Sequence, residues 1–187
     1  MIRFDDLTRE ERYYSATILP YLFSYNNFAG LISFEKDLLL MGLIQQLSTI
    51  NDNIQIISEV YIERDLPYYN IEIPSQAFRR KMGSQSKPDL LIVSDESLYL
   101  IECKAFTHES EYQLHQQILK QKYIFDIIEE LTLHSFSNKL HILMIPYEYD
   151  IPDCVVFTWK RIYDIMCKVI PGTDYFLKRL EGALKRF

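Results

Sequence analysis

The stretch Lys87-Pro88-Asp89-Leu90-Leu91-Ile92-Val93-Ser94-Asp95-Glu96-Ser97-Leu98-Tyr99-Leu100-Ile101-Glu102-Cys103-Lys104 reads as two apolar strands around a polar turn. With Asp95-Glu96 at the centre of the turn, Ser94 opposes Ser97, Val93 opposes Leu98, and Asp89 falls opposite Glu102. Opposed residues of an antiparallel pair hold their Cβ atoms about 4.5–5.5 Å apart on one face. Side chains alternate along a strand, so Lys104 shares the face of Glu102 and Cys103 points the other way. Two carboxylates and an ammonium therefore converge at the open end of the hairpin. Opposed like charges are destabilising. Such a site calls for a cation, or for one carboxyl group that keeps its proton.

Both faces of the hairpin are apolar. Leu91, Val93, Leu98 and Leu100 lie on the carboxylate face, and Leu90, Ile92, Tyr99 and Ile101 on the other. Strands buried on both sides need helices on both sides, which predicts a three-layer α/β/α sandwich.

Upstream, residues 5–28 predict a helix opened by the capping-box pattern Thr8-x-x-Glu11, with Pro20 and Asn26-Asn27 as points of kinking or breaking. A second helix is predicted over 33–48, capped by Ser33 and apolar nearly all round through Leu38, Leu39, Leu40, Met41, Leu43, Ile44 and Leu47. Glu35 sits in its first turn, where an acidic side chain complements the helix dipole. Residues 54–63 predict a strand with Ile54, Ile56, Val60 and Ile62 on one face. Residues 64–87 are irregular, with Pro67, Pro74 and Gly83 and the basic run Arg79-Arg80-Lys81. Connections of that length in compact domains are often functional.

Downstream, 110–133 predicts the longest helix, with Leu114, Ile118, Phe125 and Ile128 on one stripe. A buried strand over 139–145 follows, ended by Pro146, and then a short strand over 154–157. Thr158 caps a helix that runs to Val169, and Asp174 caps a last one. The first three strands form an antiparallel meander. The fourth returns through a helix, so it lies parallel to its neighbour. The result is a mixed central sheet of four to five strands in one domain: a helical extension over 1–32, a core over 33–145, and a C-terminal strand and helices over 146–187.

Composition sets the outer bounds. A chain of 187 residues with 48% hydrophobic and 25% charged residues suits one globular core. No apolar run reaches the roughly 18 residues of a membrane span, and the start lacks the basic-then-apolar pattern of a secretory leader. Cys103, Cys154 and Cys167 are odd in number and lack C-x-x-C spacing, which suggests reduced thiols and a cytoplasmic setting. The four histidines follow no zinc spacing, and His108 and His115 stay unassigned. A net charge of −6 argues against a protein that coats nucleic acid through a basic face. It leaves room for an enzyme with local basic patches. Arg79, Arg80, Lys81 and Lys87 read equally as phosphate contacts beside the hairpin's charged end or as a solubilising loop. Lys178, Arg179, Lys185 and Arg186 suit a helix end complementing its dipole. Trp159, Tyr13-Tyr14 and Tyr68-Tyr69 suit core packing better than base stacking.

Pro88-Asp89, followed thirteen residues after Asp89 by Glu102-Cys103-Lys104, resembles the P-D…(D/E)-x-K signature of the PD-(D/E)XK nuclease superfamily. The α-β-β-β-α-β order is similar to that family's restriction-endonuclease-like core, over roughly residues 33–145. The resemblance implies a Mg²⁺- or Mn²⁺-dependent phosphodiesterase, a deoxyribonuclease of defence, restriction or repair. Asp89 and Glu102 would hold the metal, with the backbone carbonyl of Cys103 as a further ligand and Glu35 as the early-helix carboxylate that joins them. Lys104 would orient the attacking water or stabilise the transition state. DNA, duplex or single-stranded, would be the partner, and many duplex-cutting relatives are homodimers. One branch of the family carries Q-x-x-x-Y on the helix after Glu-x-Lys. This chain has no Gln four residues before a Tyr there, and Gln117 is the candidate lining residue, with a solvated polar face as the simpler reading. Two other functions stay open: an RNase, and a catalytically silent nucleic-acid- or protein-binding module of the same fold.

Overall fold

A computed structural model describes residues 10–61, 87–105 and 109–185. The N-terminal helical stretch starts with α1 (Glu10–Tyr13), passes through a π-helical turn at Tyr14–Ile18, and continues as α2 (Leu19–Leu40). Pro20 sits at the start of α2, where a missing N–H costs least. The expected break at Asn26-Asn27 is present inside α2: Asn26, Asn27 and Phe28 have φ of 46, 53 and 63°. Asparagine tolerates this left-handed region better than most residues. The kink lets Gly30 lie against the turn before it. A Cβ on Gly30 would overlap the Leu22 carbonyl oxygen, a backbone atom that has no room to yield. Gly30→Ala is therefore expected to destabilise the protein by about 1–3 kcal/mol, the usual cost of overpacking. A shift of the urea unfolding midpoint measures it.

The helix expected over 33–48 is shorter at its end and longer at its start. Ser33 lies inside α2 rather than capping it, and its hydroxyl reaches the Ile165 carbonyl. The helix ends at Leu40 because Gly42 takes φ 72°. Gly42 N–H then bonds Leu39 O and Leu43 N–H bonds Leu38 O, both at 3.0 Å. This is the Schellman pattern that stops a helix at a glycine.

The sheet comprises β1 (Gln55–Ser58), β2 (Leu90–Val93), β3 (Ser97–Cys103), β4 (Asn138–Ile145) and β5 (Val155–Thr158). Its strand order is β1-β2-β3-β4-β5, antiparallel across the first two junctions and parallel across the last two. The hairpin register is the expected one: Leu90 pairs with Ile101, Leu91 with Leu100, Ile92 with Tyr99 and Val93 with Leu98. The Ser94 N–H closes the turn on Ser97 O at 2.9 Å. The loop before β1 clamps that turn, with Asn51 and Asn53 amides on Asp95 and Thr49 on Glu96. The strand expected over 54–63 loses its single face at Glu59, which takes φ 56°. Ile54 and Ile56 pack with one side of the sheet and Val60 with the other. Residues 62–63 lie outside the described residues, as does Thr8.

The stretch 110–133 gives α3 (Glu111–Gln121) and α4 (Tyr123–Thr132). Lys122 between them keeps helical dihedrals, and its N–H still reaches Ile118 O at 3.1 Å. Ser110 and Gln113 form a capping box at the start of α3. Thr158 and Asp174 cap α5 (Trp159–Met166) and α6 (Tyr175–Leu184) as expected. α5 ends three residues short of Val169.

Leu90, Ile92, Tyr99, Ile101 and Cys103 share one apolar cluster with residues of α2, α5 and α6. Leu91, Leu98 and Leu100 pack with Ile124 and Ile128 of α4. Leu143 and Ile145 pack with Leu114 and Ile118 of α3. Trp159 is buried in the first cluster with the Tyr14 ring tilted against it, consistent with core roles. None of the three cysteines is in a disulfide. No helix among the described residues is long and apolar enough to cross a membrane.

Candidate functional site

The open end of the hairpin is built by backbone geometry. β2 begins only at Leu90, after a buried Pro88 that has no N–H to offer. One step beyond the Leu90–Ile101 pair, Asp89 stands across from Glu102. Its Oδ2 accepts the Cys103 N–H at 2.8 Å. The Asp89 side chain thus takes the donor that the shortened β2 ladder leaves over. Lys104 is pinned through its main chain on two sides: its N–H bonds Met144 O at 2.8 Å, and its carbonyl accepts Trp159 Nε1 at 2.9 Å. The Cys103 side chain is fully buried in the core on the opposite face, as alternation requires.

Glu102 and Lys104 form a buried ion pair, Oε1 to Nζ 3.0 Å, with Glu102 only 3% and Lys104 8% exposed. Lys104 Nζ also lies 3.4 Å from Oε1 of Glu109. Buried ion pairs hold only when their remaining lone pairs are satisfied. Here two glutamines of α3 supply the donors. Gln117 Nε2 bonds Oε1 of Glu102, and Gln121 Nε2 bonds Oε2 at 2.8 Å. Behind Gln121, His141 Nε2 meets Gln121 Oε1 at 2.6 Å. This polar chain runs from β3 through α3 to β4, between the two apolar clusters on that side of the sheet.

The half-buried Gln117 therefore gives its side-chain amide to Glu102. Glu109, Gln121 and His141 were missed. The signal for Gln121 was present in its spacing. It lies four residues after Gln117, hence on the same helix face, and within the buried stripe of Leu114 and Ile118. His141 alternates with Leu143 and Ile145 on a buried strand, a pattern that marks it as inward-facing but not as a partner of Gln121.

Burial pushes the His141 imidazole down from 6.5 to about 4. The unfolded chain then binds a proton that the folded chain refuses between those two values. Stability is fully present above about pH 6.5 and falls as the pH drops toward 4, by about 3 kcal/mol from this group. Urea midpoints at pH 7, 5.5 and 4.5 should show that loss, and His141→Gln should flatten its slope.

Glu35 is not brought to these residues. It is fully buried on the other side of the sheet, beside Tyr99. Its Oε2 accepts Ser48 N–H at 2.7 Å, and its Oε1 accepts the hydroxyls of Ser48 at 2.6 Å and Tyr99 at 2.9 Å. Burial first, and the charge of Glu35 second, push the Tyr99 hydroxyl well above its usual range. Both the dipole role and the metal-ligand role expected of Glu35 give way to this one: it ties α2, the following loop and β3 together. Lys87 is exposed, with its ammonium 3.8 Å above the Tyr61 ring. Arg79, Arg80, Lys81, His108 and Tyr68-Tyr69 lie outside the described residues. His115 faces Asp153 at 3.6 Å.

The oxygen donors at the hairpin end, Asp89, Glu102 and the Cys103 carbonyl, are hard ligands of the kind Mg²⁺ and Mn²⁺ take. Among the described residues, no group of three His, Cys, Asp or Glu side chains is placed to hold a metal ion. A divalent ion here would draw its remaining ligands from water and a phosphate, as Mg²⁺ commonly does. The donor set fits such an ion on that condition. Comparison with protein-family models, curated proteins and solved structures finds no match for this chain.

Proposed function

We propose that the protein is a metal-dependent nuclease of the PD-(D/E)XK type that hydrolyses phosphodiester bonds, with DNA as its substrate. The observation that carries the reading is the juxtaposition of Asp89, Glu102 and Lys104 at one end of a hairpin with the register the motif requires. Asp89, Glu102 and the Cys103 carbonyl would hold Mg²⁺ or Mn²⁺. The ion would supply Lewis-acid activation of water and offset the charge of the phosphate. Lys104, pinned through its own backbone, would present a fixed cation to the negative charge that develops on the phosphoryl oxygens. The fold part of the reading is a three-layer sandwich with a restriction-endonuclease-like core. It is supported by the strand order and by helices that contribute apolar residues on both sides of the sheet.

A second reading has one specific observation behind it. Both oxygens of Glu102 already have partners in Lys104, Gln117 and Gln121, which suits a catalytically silent binding module. Purified protein offered duplex DNA, single-stranded DNA and RNA, with Mg²⁺, Mn²⁺ or EDTA, separates the readings. Metal-dependent cleavage of one substrate supports the nuclease and names its class. Tight binding of a substrate without cleavage or metal uptake supports the module.

A further inference from the structure

We propose that Gln121 and His141 are positioning residues that lock one oxygen of Glu102, Oε2, into the protein interior and so leave Oε1, beside Lys104, as the oxygen that meets a metal ion. The role toward metal rests on the nuclease reading; the locking does not.

A glutamate's terminal torsion is broad and two-fold, so an untethered Glu102 would present either oxygen to the open end of the hairpin. The Gln121 amide removes that freedom at Oε2. An amide is itself ambiguous, since it can turn either its NH₂ or its oxygen toward a neighbour. Only the NH₂ attracts a carboxylate. Glu102 takes the NH₂, so Oε1 of Gln121 faces His141 Nε2, and the tautomer protonated at Nε2 donates to that oxygen and holds the amide in this orientation. Gln121 is fully buried and His141 is 5% exposed, so water does not compete for these bonds. Burial also keeps the imidazole neutral at ordinary pH, so the ring acts through hydrogen bonding and adds no charge beside Glu102. Oε1 differs: it faces the Lys104 ammonium, which is shared with Glu109, and the half-buried Gln117, rather than a fully buried partner. Partners of this kind orient metal ligands, and their loss typically weakens metal binding about 10–100-fold.

The test needs His141→Leu, His141→Gln and Gln121→Leu, each read in two ways. Without metal, the Glu102 carboxyl carbon and the Gln121 side-chain amide protons are followed by NMR. His141→Leu should shift the first and speed exchange of the second, and His141→Gln, whose amide nitrogen can stand where Nε2 stood, should restore both. Should His141→Leu fail to fold, Gln121→Leu carries the same readout at Glu102. Glu102 and Gln121 signals that stay at their wild-type positions would overturn the proposal. With Mn²⁺, titration followed by electron paramagnetic resonance should give about 10–100-fold weaker binding for Gln121→Leu and His141→Leu than for wild type. Equal binding in both variants overturns the metal-facing role. A wild-type protein that takes up no Mn²⁺ removes the nuclease reading and that role with it, while the NMR result still decides the locking.

Discussion

Asp89→Asn and Lys104→Met are each expected to reduce metal-dependent DNA cleavage by at least about 100-fold, the scale seen when one fixed electrostatic group is removed from a reacting centre. The two substitutions are chosen for what they leave in place. Asparagine at 89 keeps an oxygen for the Cys103 N–H, so the strand end holds while one negative charge is lost. Methionine at 104 keeps the apolar stem packed while the ammonium goes. Glu102 then loses its cation, yet Gln117 and Gln121 still bond both of its oxygens. The stability cost should therefore fall below the roughly 3–5 kcal/mol of a buried ion left wholly unpaired. Cleavage is measured well below the unfolding transition, with circular dichroism to establish folding. Activity that survives in both variants would sink the assignment of this hairpin end as the catalytic centre.

Glu35→Ala should lower stability by about 4 kcal/mol and should act through folding alone. Removing the carboxylate strips partners from the Ser48 N–H, the Ser48 hydroxyl and the Tyr99 hydroxyl, all buried. Each buried donor left unpaired costs about 1–3 kcal/mol. Part of that is recovered, because Ser48 also meets Ser94 and Tyr99 also meets Ser97. Glu35→Gln should cost less, since one amide oxygen still accepts, although its NH₂ then opposes a donor. Urea unfolding measures both. The discriminating observation is activity in Glu35→Gln at a temperature where it is folded: cleavage should match wild type. A loss of metal binding there would return Glu35 to the site.

Glu35 and Gln117 show why some site residues could be read from the chain and others not. An acidic residue in a helix's first turn has the same local pattern whether it faces a metal, the helix dipole or a ring of hydroxyls. The partners that decide are Ser48 and Tyr99, which lie 13 and 64 positions away in the chain. Gln117 was ambiguous for the same reason, because a glutamine on an amphipathic helix is polar surface until something buried needs its amide. Gly42 was different. Its effect is local, and a glycine following Leu38-Leu39-Leu40-Met41 carries the stop signal in the sequence itself.

The sequence by itself determined the hairpin: its register, its two apolar faces, and the placing of Asp89 across from Glu102, with Lys104 on the face of Glu102, at its open end. Strand alternation and a two-residue turn are rules of adjacent residues, so they can be read without knowing what lies beyond. Tertiary structure decided what surrounds that end. It brought Gln121 and His141 behind Glu102 and carried Glu35 to the far side of the sheet. Those placements depend on how α2, α3 and β4 pack against the hairpin. Packing across such sequence distances answers to burial and hydrogen-bond satisfaction over the whole core, which no short motif encodes.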